Sequence, residues 1–178
     1  NLHSMNKSFN TSRGGFGAAL ENLRRFRIRL YATFIFGYDL DTAASSAETV
    51  AFSREHGFYI TAFNHLTPFP GTALYRRLEE TGGLLYDAWW LDDRYQYNMV
   101  PFRPARMSPE EVERGCVEAR RLFYSWPSIL RRAFDPVNRS DFFMFRNFFL
   151  INALHRADVD GRNHLRHGVE GWQGSVLQ

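Results

Sequence analysis

The chain has 178 residues, enough for one domain with a substantial core, and its 44% hydrophobic and 16% aromatic content marks it as globular. Its 22 basic residues stand against 19 acidic ones and are spread along the chain, so the formal charge of +3 excludes a dedicated nucleic-acid stripe. Cys116 is the sole cysteine, which leaves no internal disulfide or thiolate cluster and fits a reducing, cytoplasmic setting, while no apolar run is long enough to span a bilayer.

Residues 1–15 are polar and turn-rich. Phe16, Ala19, Leu20 and Leu23 then recur at helical spacing and predict a short helix. Ile28–Phe36 reads as a strand, rich in β-branched and aromatic residues and ending at the turn chemistry of Gly37–Asp41. Asp41 or Thr42 is placed to cap a second helix, and Ala43, Ala47, Val50 and Ala51 predict a narrow inner stripe for it. Gly57 is placed to end that helix in a left-handed turn. Phe58–Leu66 is a second strand, so the unit is strand–helix–strand with both strands parallel.

Thr67–Thr72 carries two prolines and cannot continue a strand; its single glycine falls short of a phosphate cradle. Ala73–Glu80 predicts a short helix stopped by Gly82 and Gly83. Leu84–Phe102 has no period but holds Tyr86, Trp89, Trp90, Tyr95 and Tyr97, which either wall a cavity or clamp one part of the chain onto another. Ser108-Pro109-Glu110-Glu111 is a helix start with a capping box, and apolar spacing continues from Val112 to Trp126 before Pro127 ends or kinks it. A last helix from Ser140 or Asp141 to about His155 is apolar on most faces, which predicts burial or docking.

Four motifs in order carry a resemblance: Met5–Asn10 (MNKSFN), Phe34–Thr42 (FIFGYDLDT), Leu66–Tyr75 (LTPFPGTALY), and Trp90–Asp93 with Pro101–Glu111, closing in Phe123–Arg132. Together they resemble radical S-adenosylmethionine proteins of the class with an upstream cobalamin-binding domain. The resemblance implies an α/β fold: the C-terminal part of a partial parallel (β/α) TIM-like barrel over residues 1–80, then a linker and α-helical C-terminal domain over residues 81–178. It implies an iron–sulfur cluster, S-adenosylmethionine and cobalamin in a longer protein, acting on a large apolar substrate. The cluster cysteines would lie upstream in a missing N-terminal barrel and cobalamin domain, since Cys116 alone on a helix cannot replace them. This chain would then supply no catalytic or metal-binding residue. Two departures stand out: Thr33 occupies a position often held by glycine, and Gly83 one often held by arginine.

On this reading Ile35, Phe36, Gly37 and Asp39 at one strand end, with Asn64 and Thr67 at the other, contact adenosine or substrate. Asp39 and Asp41 equally serve as turn and cap residues. Asn64 and His65 point to opposite faces of their strand, and Asn64 is the one expected to face ligand, with His65 a satisfied core residue. His155, His164 and His167 are too irregularly placed for a metal site. Phe142–Leu154 offers either core packing or peripheral membrane contact. The alternative to an enzyme fragment is a non-catalytic α/β-plus-helical module that docks on a partner chain.

Overall fold

The computed structural model describes residues 15–161 and 163; the Met5–Asn10 motif, His164 and His167 lie outside them. The order of elements is α1 (Gly15–Arg25), β1 (Tyr31–Phe36), α2 (Ala44–Glu55), β2 (Ile60–His65), α3 (Ala73–Glu80), α4 (Pro109–Phe123), α5 (Trp126–Ala133) and α6 (Phe142–Asp158). β1 and β2 pair in parallel with Tyr31 opposite Ile60 and Phe36 opposite His65, and α2 forms the crossover.

The expected barrel is corrected here. Among the described residues the sheet has only two strands, so the fold is a small α/β domain of six helices around one parallel pair. Side chains, not further strands, close the outer edge of β2. The Tyr124 hydroxyl donates to the Thr61 carbonyl at 2.8 Å and accepts from the Thr61 N–H at 3.2 Å. Arg120 donates to the Phe63 carbonyl through Nε and Nη2, and Arg132 to the Phe58 carbonyl just before the strand. Main-chain groups that a third strand would satisfy are thus taken by α4 and α5.

Strand alternation divides the sheet into two unlike faces. Ala32, Phe34 and Phe36 lie with Thr61, Phe63 and His65 on the packed face. There Phe34 and Phe36 stack against Phe63 at 5.9 and 6.2 Å between ring centroids, and Phe123 meets Phe63 edge-on. Phe63, Val112, Cys116 and Phe123 are fully buried in this cluster, which runs in sequence from Leu20 to Tyr124. The other face carries Tyr31, Thr33, Ile35, Ile60, Ala62 and Asn64; Ile60 packs with the apolar side chains of α5 and α6, whereas Tyr31, Thr33, Ile35 and Asn64 are all exposed.

Several local expectations change. The inner face of α2 is Ser46, Val50 and Ser53, while Ala43, Ala47 and Ala51 face solvent. A Cβ on Gly115 of α4 would come within 3.4 Å of the Ser46 hydroxyl, so small residues on both helices set their close approach. The cap of α2 is Ala43 with no side-chain bond, not Asp41 or Thr42. Gly57 does end α2 at φ +62°, and a Cβ there would collide with the Asp135 carboxylate. α4 stops at Phe123, because Pro127 sits in the first turn of a separate α5. The capping box at Ser108 forms, with its hydroxyl accepting from the Glu111 N–H and the Glu111 carboxylate accepting from the Ser108 N–H.

The aromatic segment 84–102 folds back on the loop after β2. Leu84 and Phe102 form an antiparallel bridge, Trp89 packs on Phe69 and Tyr95, and its indole N–H donates to the Pro68 carbonyl at 3.0 Å. No helix among the described residues is long and apolar enough to cross a membrane.

Candidate functional site

β1 and β2 end side by side, and the chain turns sharply after each. Gly37 follows β1 at φ +100°, where a side chain would be strained. A Cβ at Gly37 would also meet Phe102, Val112 and Leu66 at 3.4 to 3.8 Å. The missing side chain therefore makes room for the core. Asp41 is buried, and one carboxylate oxygen accepts from both the Gly37 and Tyr38 N–H groups at 3.0 Å. It caps the turn that leaves β1 and fixes where Tyr38–Leu40 emerge. Asp39 is exposed and forms a two-pronged ion pair with Arg77 of α3 at 2.6 and 3.0 Å, tying this turn to the helix after β2.

On β2 the neighbours Asn64 and His65 part as alternation requires. His65 points into the packed face; burial pulls its pKa below 6.5, and Nδ1 lies 3.1 Å from the Leu66 carbonyl. Thr67 Oγ1 lies 3.4 Å from the same Nδ1. Asn64 lies on the open face directly opposite Ile35, which is 41% exposed. Of the six expected contact residues, the structure thus leaves Ile35 and Asn64 on one accessible surface. Phe36 is buried behind them, Gly37 faces the core, and Asp39 and Thr67 stand at the rims of the two turns.

A second feature adjoins Asn64. A cleft of about 210 Å³ runs along the outer edge of β2, lined by Tyr31, Asn64, Tyr97, Arg120, Tyr124 and His155, among others. Arg120 spends Nε and Nη2 on the Phe63 carbonyl, and Nη2 also reaches Asn98 Oδ1 at 2.9 Å. Burial pushes the Tyr124 phenol up to about 12, so it stays neutral, and the His155 ring stacks on it at 5.0 Å. Sequence reasoning did not single out Arg120 as a functional residue. The available signal was spacing: Arg120 and Tyr124 follow the buried Cys116 at successive steps of four. Cys116 itself is buried, and burial pushes its thiol up to about 12. No group of three or more His, Cys, Asp or Glu among the described residues is arranged to hold a metal ion.

No family model matches the chain, and no solved structure matches it. Curated proteins do. Over 131 residues, 74% of this chain, it is 29% identical to the bacteriochlorophyllide d C-12(1)-methyltransferase of Chlorobaculum tepidum and covers 27% of that protein. Over the same share it is 24% identical to the C-8(2)-methyltransferase of the same organism, covering 28% of it. It is 26% identical over 114 residues to an uncharacterised methyltransferase of Synechocystis, covering 20% of that protein. The chain therefore spans about a quarter of the length of the curated relatives it matches.

These relatives correct the expected chemistry. All three bear the name of a methyltransferase, and none of the names speaks of radical chemistry, an iron–sulfur cluster or cobalamin. The radical S-adenosylmethionine assignment, with its cluster and cobalamin, is therefore withdrawn. The non-catalytic docking module gains no support from them either.

Proposed function

We propose that this chain is part of a methyltransferase that uses S-adenosylmethionine as methyl donor, with its open sheet face on the donor-binding side. The observation that carries the reading is the shared stretch of 131 residues with two methyltransferases and of 114 with a third. When bound, the donor supplies an electrophilic methyl group on a sulfonium, which passes to a nucleophilic atom of the acceptor.

The residues present fit an adenosyl group. Ile35 offers an apolar surface on which a flat ring can lie, and the exposed Asn64 amide directly opposite has both a donor and an acceptor for the ring's edge. Phe36 and Gly37 support this surface from behind, and Asp41 holds the turn beside it. Asp39 and Thr67 flank the ribose side at the two turns. The test is equilibrium dialysis of the full chain with radiolabelled S-adenosylmethionine. Saturable binding is expected, weakened about tenfold by Asn64→Ala through the lost amide bonds. Absence of saturable binding, or a value unchanged in Asn64→Ala, overturns the reading.

A further inference from the structure

Arg120 is a half-buried cation with no carboxylate partner among the described residues. Three of its five N–H bonds are committed: the Nε–H and one Nη2–H to the Phe63 carbonyl, and the other Nη2–H to Asn98 Oδ1. The two on Nη1 meet no acceptor among the described residues. Both committed acceptors are neutral, so they hold the guanidinium in place at the cleft without cancelling its charge. A positive charge partly withdrawn from water, with no carboxylate paired to it among the described residues, favours an anion beside it.

We propose that the cleft beside β2 binds a carboxylate attached to an aromatic ring, with Arg120 Nη1 donating to the carboxylate. The cavity of about 210 Å³ is smaller than the ~300–1,000 Å³ that accommodates a drug-sized ligand, so it takes one ring and its substituent. Tyr31, Tyr97 and the stacked Tyr124–His155 pair supply ring surfaces for the arene. Arg120 is the one arginine or lysine lining the cleft, so a single negative charge is matched and a phosphate dianion is not. The one acid there, Asp158, already has an interaction of its own, and the Tyr124 phenol is neutral. Assigning this carboxylate to the methyl acceptor rests on the methyltransferase reading; the binding site itself does not.

The test is titration of the ¹⁵N-labelled full chain with benzoate, benzamide and phenyl phosphate, followed at the Ala62 and Phe63 amides. Benzoate is expected to shift both saturably and to bind about tenfold more tightly than the neutral benzamide, the difference that a charge-assisted bond makes. Phenyl phosphate binding as tightly as benzoate would replace the carboxylate with a general anion and overturn the stated ligand class. Arg120→Gln is expected to abolish the preference for benzoate over benzamide. Because Arg120 also supports β2, Tyr31→Glu is compared with Tyr31→Gln as a second pair of variants: both remove the same ring surface, and the negative charge added by Glu at this exposed position is expected to weaken benzoate further but not benzamide. Equal binding of benzoate and benzamide, or no saturable shift, overturns the proposal. No donor is needed in this titration and no benzoate in the dialysis, so either reading can fail alone.

Discussion

Arg132 is 1% exposed and forms no ion pair among the described residues, yet burial lowers its pKa only to about 9, so it carries its charge at neutral pH. Its neighbours explain how. Nη1 donates to the Phe58 carbonyl at 3.0 Å, Nη2 to the Phe123 carbonyl at 3.0 Å and to Asn152 Oδ1 at 2.9 Å. The guanidinium carbon sits 3.7 Å above the Phe123 ring, so the plane is stacked as well as bonded. One side chain thereby joins the segment that leads into β2 with α4, α5 and α6, which a lysine with its compact ammonium could not do. Arg132→Met keeps the apolar stem but strands three buried acceptors, each costing about 1–3 kcal/mol. A loss of at least ~3 kcal/mol in urea unfolding is expected, with Arg132→Lys recovering only part of it. A loss below 1 kcal/mol, about that of one ordinary hydrogen bond, would mean that water replaces the guanidinium.

The same logic applies to a whole element at β2, whose outer edge is held by side chains in place of a third strand. Tyr124→Phe retains the ring and removes the hydroxyl that serves both the N–H and the carbonyl of Thr61. The expected cost is about 1–3 kcal/mol, with amide exchange at Thr61 accelerated more than at residues of β2 that face β1. Uniform acceleration along β2 would instead point to loss of packing. This edge also marks the limit of what could be read from residues alone. The strand–helix–strand unit, the parallel pairing, α3 over Ala73–Glu80, the Ser108 capping box and the Gly57 stop are each written in a local signal, and each formed. The same signals fit a barrel strand, because a buried parallel strand looks alike whether a third strand or a tyrosine and two arginines lie beside it. Arg120 and Tyr124 reach β2, and Arg132 the Phe58 carbonyl just before it, from 57 to 74 residues away, and no local pattern records so distant a bond. At the candidate site, strand alternation separated Asn64 from His65, but the role of Gly37 depends on Phe102 and Val112, again far along the chain.

For the molecule as a whole, the uncovered surface is too apolar for its small charge to protect it. Leu122, Trp126, Leu130 and Phe134 are all exposed at successive steps of four along the end of α4 and through α5, Phe134 by 68%. α6, expected to be buried or docked, buries Phe148 and Asn152 and exposes Phe142, Phe143, Leu150 and Leu154. The outer edge of β1 adds main-chain groups of Tyr31, Thr33 and Ile35 with no partner among the described residues. A net charge of +3 lies near the low end of the range of about 2–8 that keeps small domains apart. The isolated chain is therefore expected to self-associate in sedimentation, through surface that water disfavours and not through charge. Salt separates the two causes. Ammonium sulfate should strengthen hydrophobic association, whereas association through ion pairs would weaken as ionic strength rises. Leu130→Gln combined with Phe134→Gln should lower the association without lowering the melting temperature, since both side chains lie outside the core. A monodisperse monomer in sulfate, with the apolar stripe intact, would show that these side chains do not govern the chain's behaviour in solution.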